Sequence, residues 1–194
     1  MSSSLRDETL ALRGQYDEEP SHSDHVTELA RQLFDGWEAW HGLGEQEREL
    51  LECAALLHDI GWSQTPDGAG HHKHSARMIT EHDWKHLRES EVKIVAQIAR
   101  YHRKALPQPH PDRFHALPER AQRQVMVLGG ILRLADALDR THTQKITQAK
   151  ASDAPDALLV RVQTRGPWDA ERAMFETKRD MLQSASGRAV RVTA

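Results

Sequence analysis

The sequence predicts a mainly α protein, a helical bundle over residues 1–140 followed by a small α+β appendage over residues 141–194. Segment after segment before Arg140 carries apolar residues at the i, i+3, i+4, i+7 spacing of one helical face. Beyond Thr141 the texture changes, and KITQAK, ALLVRVQ and AVRV read as strands around a helical stretch from Trp168 to Gln183. A third observation concerns the ends of the apolar stripes, several of which run directly into histidine or aspartate. The strands are expected to form one sheet against the helical body.

The first twenty residues are polar, with a short amphipathic piece from Leu5 to Leu12. Pro20 and Ser21 then form a start signal. Val26, Leu29, Ala30, Leu33, Phe34 and Trp37 follow on one face. At 100° per residue His22 falls about 40° from Val26 and His25 about 100° away, so His22 is the better candidate to point inward. A helix starting near Glu45 carries Leu51, Ala54 and Ala55 and leads to His58, Asp59 and Gly61, where a helix usually stops. WSQTPDGAG is a loop by its Pro and Gly content. In the next segment, HHKHSARMITEH, the face defined by Ser75, Met78, Ile79 and His82 includes His71 and His72, with His74 nearer its edge. His71 is preferred, its neighbours remaining open. Val92 to Arg100 is helical and aims His102 at the core. KALPQPHPDRFHALPER is long enough to be a lid or a binding loop. The last helix of the bundle, from about Glu119 to Arg140, extends its apolar face through Asp136 and Asp139.

Composition bounds the function. The chain has 26 basic and 29 acidic residues and a net charge of -3, so no global field attracts nucleic acid or an anionic membrane. A lone cysteine, Cys53, inside an apolar run rules out an internal disulfide and fits a reducing compartment. Neither a leader pattern nor a membrane-length span is read, so a cytoplasmic location is expected. The 13 histidines are dispersed, which no affinity tag explains.

The His58-Asp59 pair is the centre of the pattern. A carboxylate in the last turn of a helix opposes the macrodipole by about 0.3–1 kcal/mol, a conflict that a bound cation removes. Asp136, in an apolar stripe, must likewise be paired, protonated or metal-bound. His22, His58, Asp59 and Asp136 could surround one ion, and His71 with His102 could complete a second site bridged by Asp59. Mixed imidazole and carboxylate ligands suit one or two divalent ions from Mn, Fe, Co, Ni and Zn, with Mg admissible where carboxylates and water dominate. Two such ions about 3.5–4 Å apart support phosphate ester or anhydride hydrolysis by activated water.

The ordered set H, HD, H, H, D resembles the HD-domain metal-dependent phosphohydrolases. The phrases HVTELARQLFD, AALLHDIG, HHKHSARMI, IARYHRKALP and ILRLADALDR are similar to the C-terminal helical domain of the exopolyphosphatase and guanosine pentaphosphate phosphatase (Ppx/GppA) family, over about Pro20 to Arg140. The resemblance implies His22 as first ligand, by the Val four residues on, His71 by the Ala five residues on, and His102 from YHRK. Arg103 stands where related members have a second histidine, which implies two ions at most. Trp62, followed by Ser63, stands where some hydrolases have a lysine. The candidate catalytic residues are Asp59, Lys73 and Arg103, with Arg77, Lys104 and Arg113 as candidates for contact with the substrate. Members of that family carry actin-like ATPase-type domains that hold their main phosphatase site, and no such domain is read in these residues. With all six ligand positions filled, the helical body is expected to be a hydrolase of a small phosphorylated substrate, nucleotide or polyphosphate-like. The alternative is a non-catalytic module that binds such a ligand and regulates a partner. A homodimer through apolar helix faces is left open.

Overall fold

The computed structural model describes residues 1–103, 106–107 and 113–194. Nine α-helices run among the described residues: α1 (Ser3–Arg13), α2 (Pro20–Gly36), α3 (Glu38–His41), α4 (Glu45–Leu57), α5 (His71–Glu81), α6 (Glu89–Tyr101), α7 (Glu119–Leu138), α8 (Asp169–Lys178) and α9 (Asp180–Ser186). Three strands, β1 (Ile146–Ala154), β2 (Ala157–Thr164) and β3 (Ala189–Thr193), form one sheet in that order. The fold is mainly α with a small C-terminal sheet, as the periodicity implies.

Helix α4 is the axis of the bundle. From Leu50 to Leu57 it is buried on all sides, and it packs against α1, α2, α6 and α7. An all-round apolar helix is stable only when other helices cover every face. Pro20 occupies the first turn of α2, where its missing N–H is not needed. The consequence for the site is one of direction: α2 and α5 begin, and α4, α6 and α7 end, at the pole where the candidate ligands meet.

Two local expectations are corrected. Helix α4 does not stop at a left-handed Gly61. It ends at Leu57, His58 keeps right-handed helical angles, and Ile60–Gln64 continues as a 3-10 turn containing Gly61. Gly61 serves close approach instead, because a Cβ there would lie 2.2 Å from the His71 carbonyl oxygen and 2.5 Å from the Ser75 nitrogen. The stretch from Trp168 to Gln183 is two helices rather than one. The Arg179 N–H closes α8 on the Phe175 carbonyl, and the Asp180 side chain accepts from the Met181 N–H to start α9.

The sheet is mixed. Strand β1 runs antiparallel to β2, and β2 parallel to β3, the crossover being made by α8 and α9. It lies against α2, where Trp37 Nε1 donates to the Ser152 carbonyl at 3.0 Å and the Ala149 N–H to Gln32 Oε1 at 2.8 Å. Ile146, Val160, Phe175 and Val190 belong to the same hydrophobic cluster as Leu29, Leu51 and Leu128, so one core runs through bundle and sheet.

At Gly36 a Cβ would lie 2.6 Å from the Ala151 carbonyl oxygen, where strand backbone cannot give way. Gly36→Ala is therefore expected to cost about 1–3 kcal/mol, the usual penalty of overpacking. It should appear as a lower urea midpoint at unchanged m-value.

Candidate metal centre

The candidate ligands sit at helix ends, and two of the histidines use one device. Nδ1 of His58 donates to the Ala55 carbonyl at 2.7 Å, and Nδ1 of His102 to the Ala99 carbonyl at 2.6 Å. Nδ1 of His71 lies 2.9 Å from the Gly68 carbonyl but accepts from Arg103 Nη1 at 2.8 Å, and its Nε2 lies 3.3 Å from His102 Nε2. The first two bonds go back three residues. At the ends of α4 and α6 it satisfies a carbonyl that the helix leaves without a partner, and it turns Nε2 toward the pole. His22 reaches the same state through Asp139, whose Oδ2 accepts from Nδ1 at 2.9 Å. A hydrogen bond on one ring nitrogen fixes the other as the free ligand atom.

Asp59 stands between these rings. Its Oδ2 is 3.5 Å from His58 Nε2 and 3.9 Å from His22 Nε2; its Oδ1 is 3.2 Å from His71 Nε2 and 3.6 Å from His102 Nε2. Asp136 Oδ1 lies 3.6 Å from His22 Nε2 and 3.9 Å from His58 Nε2. The ligand atoms thus fall into two groups that share Asp59: His22, His58 and Asp59, and Asp59, His71 and His102. Asp136 faces the first.

Divalent ions fit this arrangement. Atoms that share an ion at about 2.0–2.2 Å can be no more than about 4.4 Å apart, and every separation just given is shorter. His22 Nε2, His58 Nε2 and Asp59 Oδ1 are buried without a hydrogen-bond partner, a costly state for atoms arranged only for packing. Charge agrees with geometry. Burial opposes ionisation of Asp59, but His58, His71 and His102 around it hold the carboxyl far below the usual range. Burial likewise opposes, and His22 overcomes, so that the Asp136 carboxyl falls to about 2. For His22, burial is outweighed by Asp136 and Asp139, which raise the imidazole to about 10; His102, buried beside His58, falls to about 3. The cluster keeps its carboxylates ionised and calls for positive charge among them.

Helical periodicity separates the histidines as expected. His22 is 3% exposed and within the cluster; His25 and His74 join neither group, nor does His72, which is buried with its ring 5.8 Å from that of His71. The cationic expectations fare differently. Lys73 and Arg77 are exposed on α5, because two and six residues after His71 amount to turns of about 200° and 240° away from the site. Arg77 lies 3.9 Å from Glu81 instead. Arg113 is exposed in a turn and does not line the cleft over the cluster, and Lys104 lies outside the described residues. Arg103 does reach the centre's edge. Its Nη1 is 2.8 Å from His71 Nδ1 and 3.4 Å from the Gly68 carbonyl, and its guanidinium carbon is 5.9 Å from the centre of the Trp62 ring. Trp62 in turn stacks on His71 at 4.7 Å, so His71 is held by a ring and a cation together.

Two features have no signal in the sequence, and a third, Asp139, is marked there by position but not by role. Asp139 is a ring-orienting partner and not a ligand candidate, since its Oδ1 accepts from the Gln144 N–H at 2.7 Å while Oδ2 holds His22. His142, with a left-handed φ of 54°, stacks on His22 at 3.8 Å, its Nδ1 2.7 Å from Glu19 Oε2. Lys178 and Arg133 cap α6: Lys178 Nζ donates to the Arg103 carbonyl and lies 3.5 Å from that of His102, and Arg133 Nη1 donates to the Tyr101 carbonyl at 2.9 Å. Cations at a helix C-terminus stabilise it. Here they also tie α8 to the backbone that carries His102.

Lys178→Met should therefore weaken divalent-ion binding at the His71–His102 group by about 10–100-fold, the usual effect of losing an outer support. Lys178→Arg should retain most of the affinity. Metal titration by calorimetry reads both.

Among the described residues no helix is long and apolar enough to cross a membrane. A cleft of about 680 Å³ opens over Asp59 and His22, with Trp62 and His142 on its walls. Comparison with known families gives a match to the Ppx/GppA phosphatase, domain III, over residues 5–182, a span that takes in every candidate ligand and most of the C-terminal sheet. The chain belongs to the Ppx/GppA phosphatase family, as a copy of its domain III.

Proposed function

We propose that this domain is an HD-type metal-dependent phosphohydrolase acting on a phosphate ester or anhydride. The observation that carries the reading is the division of Asp59 between two pairs of imidazoles, each with its ligand nitrogen aimed inward. His22, His58, Asp59 and Asp136 would hold one ion, and Asp59, His71 and His102 a second. Divalent ions in such a pair supply Lewis acidity, which makes water a nucleophile near neutral pH and offsets phosphoryl charge.

The protein's own contribution is rigidity and exclusion. Asp139, Ala55 and Ala99 hold three rings by their second nitrogens, and Arg103 holds the fourth, His71, at Nδ1, so ring directions are set before anything binds. Trp62 and His142 pack over His71 and His22 and cover the cluster from the solvent side. A phosphoryl group entering the cleft would meet the cluster beside Asp59 and His22, which line it. Arg103 could reach a phosphate oxygen only by leaving His71.

The family match supports a phosphatase role, and the cluster supports metal-dependent water attack within it. Purified protein is expected to carry Mn, Fe, Co, Ni, Zn or Mg. Saturation at about a hundred times the Kd should raise Tm by about 5–11 °C. His58→Ala and Asp59→Ala should lose bound metal by elemental analysis and lose phosphoester hydrolysis by about a hundredfold or more. Parent-like hydrolysis by both metal-depleted variants would exclude the reading.

A further inference from the structure

Of the four imidazoles around Asp59, His71 alone has a cationic donor behind it. His58 and His102 direct Nδ1 to a carbonyl, and His22 directs it to the Asp139 carboxylate. At His71, Nδ1 lies 2.8 Å from Arg103 Nη1 and 2.9 Å from the Gly68 carbonyl. A guanidinium donates and never accepts, so the nitrogen it meets carries no proton, and the proton of the neutral ring sits on Nε2. There it faces Asp59 Oδ1 at 3.2 Å and His102 Nε2 at 3.3 Å. The two groups of ligand atoms are therefore unequal. His22 Nε2 and His58 Nε2 have no hydrogen-bond partner, whereas the His71–His102 pair is closed on itself.

A second arrangement of the same atoms is already built. Gly68 has a left-handed φ of 68°, and a Cβ there would run into the Trp62 ring, so glycine alone fits and its carbonyl is held against His71. With the His71 proton on Nδ1, this carbonyl accepts it and Nε2 becomes a ligand atom. Arg103 then faces a donor and has to leave. One hydrogen bond at Nδ1 is exchanged for another, and an ion takes the place of the proton at Nε2. The departing guanidinium has its carbon 5.9 Å from the centre of the Trp62 ring, and Trp62, 46% exposed, lines the cleft over Asp59.

Resting on the two-ion reading for the identity of the sites but not on turnover, we infer that Arg103 is a positioning residue that latches His71 against the second ion. Entry of that ion at His71 and His102 releases the guanidinium to the edge of the cleft. There it becomes a cation for a tetrahedral dianion held at the centre, so full anion binding waits for both ions.

The test titrates zinc, which is diamagnetic, into the full chain and into its Arg103→Met variant by calorimetry, with sulfate as the soluble tetrahedral dianion. The first ion is expected to bind both proteins alike, and the second to bind Arg103→Met about tenfold tighter, because no charge-assisted hydrogen bond is given up. A residue that merely supported His71 would act in the other direction, and a weaker second ion in the variant overturns the latch. Sulfate is expected to bind the two-ion parent about tenfold tighter than the two-ion variant, and the one-ion forms alike. An equal loss in both forms overturns the release. Nitrogen NMR at pH 8 locates the proton, the His71 signals being those that His71→Asn removes. Nδ1 should be bare in the ion-free parent, and protonated in both the ion-free variant and the two-ion parent. A tighter second ion with Nδ1 unchanged would reduce the effect to charge alone and sink the latch. Two ions of equal affinity in parent and variant keep the two-ion reading and remove only the latch; a single ion in both proteins removes that reading and the gate with it.

Discussion

Asp59 presents one oxygen to His22 and His58 and the other to His71 and His102. Much of the fold follows from what that requires. An imidazole can face that carboxylate with a bare nitrogen only if its proton is on the far side of the ring, so His58 and His102 need an acceptor behind them. Helix ends supply such acceptors without extra residues, because the final carbonyls of a helix have no internal partner. Placing His58 and His102 one residue past α4 and α6 uses that surplus directly. The pole is therefore a place where helices stop, and its three helix C-termini add partial negative charge to the two carboxylates. The carboxylates and helix C-termini favour a bound cation, opposed in part by the N-termini of α2 and α5 at the same pole.

The C-terminal sheet is coupled to this pole. Strand β1 is fastened to α2 by Trp37 and Gln32, and α8 is fastened to the end of α6 by Lys178. Arg133 joins the two ends, bonding the Tyr101 carbonyl, the Lys178 carbonyl at 3.4 Å and Asp180 at 2.8 Å. Burial, with Arg133 beside it, lowers the Lys178 ammonium to about 8, so its carbonyl contacts compensate a real desolvation cost. A pole whose ligands come from five helices needs this kind of bracing, since a shift of one helix end alters every ligand distance.

What was legible in the sequence was whatever helical periodicity controls. The wheel separates His22 from His25 because both lie on one uninterrupted helix, and it aims His58 and His102 inward because they continue apolar stripes. It could not distinguish Asp136 from Asp139, which share a face at i+3. Only the tertiary position of His22 makes one a ligand candidate and the other a ring-orienting partner. Gly61 reads as a helix stop because that is the commonest local reason for such a glycine; its use here, close approach of α5 backbone, involves a segment ten residues away. Lys73 and Arg77 attract attention by nearness to the motif in sequence, which on a helix says little about nearness in space. The acidic residues before α2 read as an ordinary solvated connection, and nothing local marks them as the wall of a cleft.

That wall and the missing lysines have a common physical origin. An enzyme that holds phosphate with side chains must place Arg or Lys at the reacting centre, and those cations then set the field of the whole cleft. Where metal ions do that work, the protein is released from the constraint, and the surrounding walls can carry either sign. Among the described residues the cleft over the cluster is lined by Trp62 and by Asp17, Glu18 and Glu19. The guanidinium of Arg103 is spent on His71 and the Gly68 carbonyl. Specificity in such a site would come from the part of the ligand that is not phosphate, because the phosphate itself meets the same floor whatever it is attached to.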